Sequence, residues 1–266
     1  MSSRPLVSAT CPVPPATDPT ALAPHRAQTV LAVPRPRRPR SSPAEAADGT
    51  SPRLYRALQR DPQVQTTRVL LETERLLRIY GHRKIRVADV ADACGFSAAN
   101  VYRYFSSRHA ILDTLACHYL REAERTGVAC AICSSGSARD RLSGFLTGLN
   151  TALMIFSDSE PQLSELLADA AAEQWPCYAR YDALLVRRIA KILTEASASG
   201  EFRLEGDTEQ EARRVKAAAC ALVEPDVIRL SRDKYDAGTR EALSRLIATA
   251  LLNQSVSPSR ASPHAD

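Results

Sequence analysis

Aromatic side chains are scarce in this chain of 266 residues: one Trp, five Phe and eight Tyr make up 5% of it. Such a sequence is not built around an aromatic cage for cations. Uncharged apolar runs also stay well short of the roughly 20 residues that a membrane-spanning helix needs. With no apolar signal segment, a cytoplasmic protein without a membrane partner is expected. No GxxxxGK, GxGxxG, HExxH or GxSxG string occurs, so phosphate loops and the common hydrolase signatures have no support. Five histidines are present (His25, His82, His109, His118 and His264), and only Cys117-His118 sets a nucleophile beside a base. Adjacent helical residues point in different directions, so no catalytic residue is expected, and neither is a metal or cofactor. Seven cysteines, an odd number without regular spacing, fit a reducing compartment. Cys130 and Cys133 form a single CxxC. It has no second pair to complete a zinc site and no βαβ pattern around it. Two small residues near a helix end, or a redox-responsive pair, are the accounts left open.

What the chain does contain is unevenly distributed. Twelve of the 17 prolines fall in residues 1–62, together with nine basic and four acidic side chains. PVPP and PRPRRPR cannot continue a helix or a central strand, so residues 1–62 read as a disordered Pro/Arg-rich tail. Arg35, Arg37, Arg38 and Arg40 form a sequence-independent anion-binding run. An Arg-rich, acid-poor start also resembles an organelle transit peptide, but the proline density would spoil the amphipathic helix such a peptide needs. Residues 63–112 carry eight basic and four acidic groups, whereas residues 113–252 carry 17 and 21. Positive charge thus accompanies one short segment, and the larger body behind it is mildly acidic. A phosphate-binding module attached to a body that does not bind DNA shows this split.

That segment centres on VADVADACGFSAANVYRYF, residues 87–105. Val87, Val90, Ala91 and Cys94 recur at i, i+3, i+4 and i+7, giving a short helix one apolar face. Gly95 ends it in the left-handed conformation that glycine tolerates. Ser97 can accept from the unpaired amides of a second helix beginning at Ala98. Val101 and Phe105 make the buried edge of that helix, leaving Ala98, Ala99, Asn100, Tyr102 and Arg103 outward. Two short helices joined by a tight glycine turn are a helix-turn-helix, whose second helix enters the DNA major groove. Small residues allow close approach, Asn100 suits an adenine edge, and Arg103 suits a guanine or a phosphate. A helical hairpin inside an ordinary core is the plainer reading.

Upstream, a helix is predicted from about Gln63 to Tyr80, with Val69, Thr73, Leu76, Leu77 and Tyr80 on one face and Gly81 at its end. Downstream, Ser106-Ser107 caps a helix starting near Arg108 and running to about residue 127 through Ile111, Leu112, Leu115 and Tyr119. The whole span 67–112, TRVLLETERLLRIYGHRKIRVADVADACGFSAANVYRYFSSRHAIL, resembles the DNA-binding domain of the tetracycline-repressor (TetR) family. The match runs in order through helix, glycine, basic link, V-A core, C-G-F-S turn, N-V-Y-R-Y-F recognition helix and S-R-x-x-I-L helix start. The resemblance implies an all-α protein with an N-terminal three-helix helix-turn-helix domain followed by a helical ligand-binding and dimerisation domain. It also implies a homodimer on a pseudo-palindromic DNA operator, released by a small-molecule effector. Carried over by resemblance, Ala98, Ala99, Asn100 and Arg103 face base edges, with Ser97 at the helix start. Tyr102 and Tyr104 give hydroxyls to phosphates. Arg108 stands where the family usually has a phosphate-touching lysine, and its planar fork is not equivalent to an ammonium. Ile85-Arg86 stands where two threonines are usual, so a helix cap worth about 1 kcal/mol is lost, and Arg86 is expected to contact a phosphate instead.

Residues 113–252 read as the second domain, with helices at about 138–157, 162–172, 174–199, 208–223 and 239–252. Gly200-Glu201-Phe202-Arg203 resembles a turn common in the family. Phe145, Leu149, Met154, Trp175 and Tyr178, with Phe156, are the candidate lining of a pocket for a mostly apolar effector, although each could equally fill a core. Val215, Ala218, Ala219, Leu222 and Val223 make one apolar stripe, and Leu243, Leu246, Ile247, Ala250 and Leu251 another. In the family the last two helices build a four-helix dimer interface, so Val215, Ala219, Leu222, Leu243, Leu246, Ile247 and Ala250 are the dimerisation candidates. Covering the monomer's own core is the alternative. Residues 253–266 read as a frayed tail. The expectation is a homodimeric DNA-binding regulator, with a redox-responsive regulator and a helical binding module lacking specific DNA binding as rivals.

Overall fold

Gly95, at φ 66° and ψ 31°, is the hinge about which the first half of the fold is built. The computed structural model describes residues 62–134, 136–201 and 206–253. The tails read as disordered in the sequence, the segment 202–205 and the Leu251 side chain lie outside the described residues. Those residues form helices and no strand.

The first helix, α1 (Pro62–Tyr80), buries Val69, Thr73, Leu76 and Leu77. Tyr80, expected on that same face, is 56% exposed. The helix ends there, and Gly81 (φ 75°) redirects the chain into a 3-10 turn, His82–Lys84. Next come α2 (Val87–Cys94) and α3 (Ala98–Tyr102). The 26-residue α4 (Arg108–Cys133) starts at Ser107, whose hydroxyl accepts from the Ala110 amide at 3.0 Å. At 1.5 Å per residue it is roughly 39 Å long, and the boundary expected at 112/113 falls inside it.

Helix α5 (Ala138–Ser159) returns along α4 at close range. A Cβ on Gly148 would sit 2.7 Å from the Cys130 sulfur, so only glycine permits this approach. The CxxC thus has one member packed against α5, and the other, Cys133, is exposed. Pro161–Ala172 forms α6, and Pro176–Ala198 forms α7, each with proline in its first turn, where a missing N–H costs nothing.

The segment 208–223, expected as one helix, is two. Helix α8 (Thr208–Ala218) stops at Ala219, whose φ −88° and ψ 11° leave the helical region, and α9 (Cys220–Val223) follows. A further helix, α10 (Pro225–Ser231), was not foreseen. The chain closes with α11 (Ala237–Asn253), which lies along α5 with buried Ser244 hydrogen-bonded to Thr147 at 2.8 Å. Among the described residues no helix is long and apolar enough to cross a membrane.

Candidate nucleic-acid interface

Helix α2 and helix α3 are locked to each other by backbone geometry. The amides of Gly95 and Phe96 donate to Asp92 O at 3.1 Å and Ala91 O at 2.7 Å, closing α2 with a left-handed cap. One residue on, the Ser97 hydroxyl accepts from the Asn100 amide at 3.2 Å and starts α3. Val101 (0% exposed) and Phe105 then anchor α3 in a core formed with Val87, Val90 and Cys94. The α-helix stops at Tyr102. Helical backbone hydrogen bonds still carry on to Phe105, through Tyr104 N–H to Val101 O at 3.0 Å and Phe105 N–H to the same carbonyl at 3.1 Å.

This leaves Ser97, Ala98, Ala99, Tyr102 and Arg103 exposed on one outward surface. Tyr102 is 52% exposed. Asn100 and Tyr104 are half-buried rather than fully outward, and Tyr104 rests against Phe96 with ring centroids 6.5 Å apart. Arg103 has no ion-pair partner among the described residues. A shallow, cationic, hydroxyl-bearing surface with two alanines at its tip can approach a base-pair edge closely and anchor to flanking phosphates.

One of the expected phosphate contacts, Arg108, is placed differently. Arg108 donates from Nε to Ile85 O at 2.6 Å and from Nη2 to His82 O. Its guanidinium therefore fastens the 3-10 turn to α4, a structural task for a residue expected to reach outward. Arg86 is exposed at the start of α2. A guanidinium has no acceptor, so the cap expected to be lost is indeed not supplied by this side chain. Asp89 makes good half of it, since its carboxylate accepts from the Arg86 amide at 2.8 Å and lies at the positive end of the helix dipole.

The helix-turn-helix is tied to the larger body by charge. Arg78 Nε donates to Glu160 Oε2 at 3.0 Å, and Tyr119 OH donates to Glu74 at 2.6 Å. Burial opposes the positive charge of Arg78, but Glu160, Tyr119 and Glu74 outweigh it and raise its pKa. Arg83 Nη2 reaches Asp169 of α6 at 2.7 Å.

In the larger body none of the expected pocket residues lines the cleft between α4 and α7. Phe145 and Leu149 are fully buried packing groups. Trp175 packs at a tilt against His109, ring centroids 4.3 Å apart, and donates its indole N–H to Glu173 at 2.9 Å, while the Tyr178 hydroxyl donates to Glu224. Met154 is half-buried at the margin of the same core. A cleft of about 380 Å³ opens between α4 and α7, with Cys117, Leu120 and Arg121 on one side and Tyr181, Leu184 and Arg187 on the other.

The dimerisation candidates also divide. Val215, Ala219 and Leu222 are 2%, 0% and 1% exposed within a single chain. Packing of α8 on α7, and of α9 on α5, consumes that stripe, so no partner can reach it. Leu243 and Ile247 are half-buried against α11's own side of the core, whereas Leu246 (64% exposed) and Ala250 face out. No group of three or more metal-ligating side chains is gathered among the described residues.

Two family models match the chain. Bacterial regulatory proteins of the tetR family match at residues 69–115, and the tetracyclin repressor-like C-terminal domain matches at residues 138–246. Solved structures share the fold at low identity. A TetR-family transcriptional regulator from Rhodococcus sp. is 21% identical over 70% of this chain and 97% of its own, with a TM-score of 0.50. A transcriptional regulator from Pseudomonas aeruginosa PAO1 is 15% identical over 74% and 94%, with a TM-score of 0.54. A TetR-family regulator from Mesorhizobium loti MAFF303099 is 13% identical over 73% and 98%, with a TM-score of 0.55. No curated protein matches the chain in sequence.

Proposed function

Because the chain belongs to the tetracycline-repressor family and is a DNA-binding transcriptional regulator, we propose that it acts as a homodimeric repressor released from its operator by a small molecule. The observation that carries this reading is the outward surface of Ser97, Ala98, Ala99, Tyr102 and Arg103, held rigid by Val101 and Phe105 beneath it. Ala98, Ala99 and Asn100 lie against base edges, Arg103 reaches a guanine or a phosphate, and Tyr102 and Tyr104 give hydroxyls to the backbone. Arg86 adds a phosphate contact at the start of α2.

The second copy docks on the outward face of the last helices, through Leu246 and Ala250 of α11 and the exposed Ala217 and Ala218 of α8. Two recognition helices then meet half-sites about one helical turn, or a multiple of it, apart. Effector binding to the body behind the helix-turn-helix favours a dimer whose recognition helices no longer fit successive major grooves. A coupling of roughly 1–3 kcal/mol changes operator affinity about 5- to 150-fold. Helix α4 carries the movement, since it meets α1 and, through Arg108, the turn leading into α2 at one end, and α5 and α7 along its length.

The test is a gel shift of the full chain at stated salt, with DNA from upstream of its own gene against random duplex. The reading expects binding tighter by about 10³-fold or more on the specific DNA. Equal affinity for the two duplexes contradicts it.

A further inference from the structure

We propose that the cleft between α4 and α7 binds an amphipathic anion, a small apolar molecule bearing one carboxylate or phosphate, with its head group between Arg121 and Arg187. In taking this molecule as the effector, the inference rests on the repressor reading above; the binding site itself does not.

The register of the two helices places the charges. Asp113 pairs with Arg180 at 2.8 Å near one end of the contact, and Glu124 pairs with Arg188 at 2.6 Å near the other. Residue number rises together along both helices, so they run parallel, and Arg121 and Arg187 fall at one level between those fixed points. Both line the cleft, and both are exposed. The carboxylates at hand are already committed: Asp113 to Arg180, Glu124 to Arg188, Glu122 to Arg125 and Asp182 to Lys216. Arg121 and Arg187 have no hydrogen-bond or ion-pair partner among the described residues. Two like charges facing one cleft without a counter-ion repel each other, and one anion between them removes that repulsion while its oxygens accept from both planar forks.

The rest of the cleft asks for an apolar body. Leu120 is fully buried beneath it, and Leu184 and Ala183 form a side. Tyr181 contributes its ring only, because its hydroxyl already donates to Val223 O at 3.0 Å. A volume of about 380 Å³ suits a small molecule. Such a ligand clamps the middle of α4 to α7, on the helix that also holds the 3-10 turn through Arg108. Occupancy therefore acts on the element that orients the helix-turn-helix.

Calorimetric titration of the full chain with octanoate, octyl phosphate, octanol and inorganic phosphate, in one buffer and salt, tests the site. Either octyl anion binding at least about tenfold more tightly than octanol and inorganic phosphate is expected, and the two anions tell a carboxylate ligand from a phosphate one. The double variant Arg121→Ala, Arg187→Ala loses about tenfold or more of that affinity, and Arg187→Lys keeps part of it. Both positions are exposed, and thermal unfolding of each variant verifies that the fold is retained. Octanol binding as well as octanoate, or a double variant binding like the parent, overturns the proposal. These titrations contain no DNA. A chain that binds the anions but no specific DNA contradicts the repressor reading alone, and the converse contradicts the cleft alone.

Discussion

His82 Nε2 lies 2.9 Å from the Asp169 carboxylate, joining the turn that leads into the helix-turn-helix to helix α6 of the larger body. His82 is 4% exposed, and its other ring nitrogen has no hydrogen-bond partner among the described residues. Asp169 also accepts from Arg83, and the carbonyl of His82 accepts from Arg108. One carboxylate therefore fixes the entry to α2 from outside its own domain.

Replacing Asp169 with alanine leaves a buried imidazole with neither nitrogen satisfied. An unfolding free energy lower by about 2 kcal/mol is expected from urea denaturation. A change below about 0.5 kcal/mol, ordinary for a surface substitution, contradicts a latch at this position.

On α3, Tyr102→Phe and Asn100→Ala separate anchoring from reading. Loss of the Tyr102 hydroxyl is expected to weaken all DNA sites alike, while loss of the Asn100 amide relaxes preference at particular base pairs, by about 1–3 kcal/mol each. Base-resolved binding measurements distinguish the two, and the reverse pattern sinks the role assignment. Ser97→Ala removes the cap seen at 3.2 Å and costs about 1 kcal/mol of stability.

The helix-turn-helix was legible in the sequence because its determinants are local. A left-handed glycine at 95, a capping serine at 97 and a buried Val101–Phe105 edge all act within a few residues of themselves. What covers an apolar stripe is not local. Val215 and Leu246 carry the same helical periodicity, yet α7 buries the first and nothing among the described residues buries the second. Asp169 and Arg83 meet across a sequence separation of 86, which no short pattern announces. The cleft carries no local signature, because Arg180, Ala183, Leu184 and Arg187 lie off the apolar stripe of α7, and Phe145, Leu149, Trp175 and Tyr178 are core. Helix α10 falls between the two expected last helices, and Pro225 opens it, because proline suits a first helical turn as well as a break.

Oligomeric state separates the two stripes. Leu246→Glu is expected to shift sedimentation equilibrium from dimer to monomer while leaving helical content unchanged. Leu222→Ala, in the core, costs about 2–5 kcal/mol of stability and leaves the folded state dimeric. Dimerisation unaffected by Leu246→Glu contradicts the docking face.

Asp113 gives the fold an acid-sensitive fastening. Burial raises its pKa, but the Cys177 amide at 2.7 Å and Arg180 at 2.8 Å outweigh that and hold it below the ordinary value of 3.8. A lowered folded-state pKa means stability that is present above 3.8 and lost as pH falls through the lower folded value. Asp113→Asn is expected to flatten stability against pH in that acidic window, measured by urea unfolding. An unchanged slope contradicts the assignment.

Selection of tight-binding sequences from a random duplex pool by the full chain, with the bound stoichiometry measured on the winners, tests the central claim most directly. An inverted repeat with half-sites about 10 base pairs apart, or a multiple of that spacing, occupied by two copies, is the predicted outcome. A pool that yields no enriched sequence, or a site filled by one copy, contradicts the account.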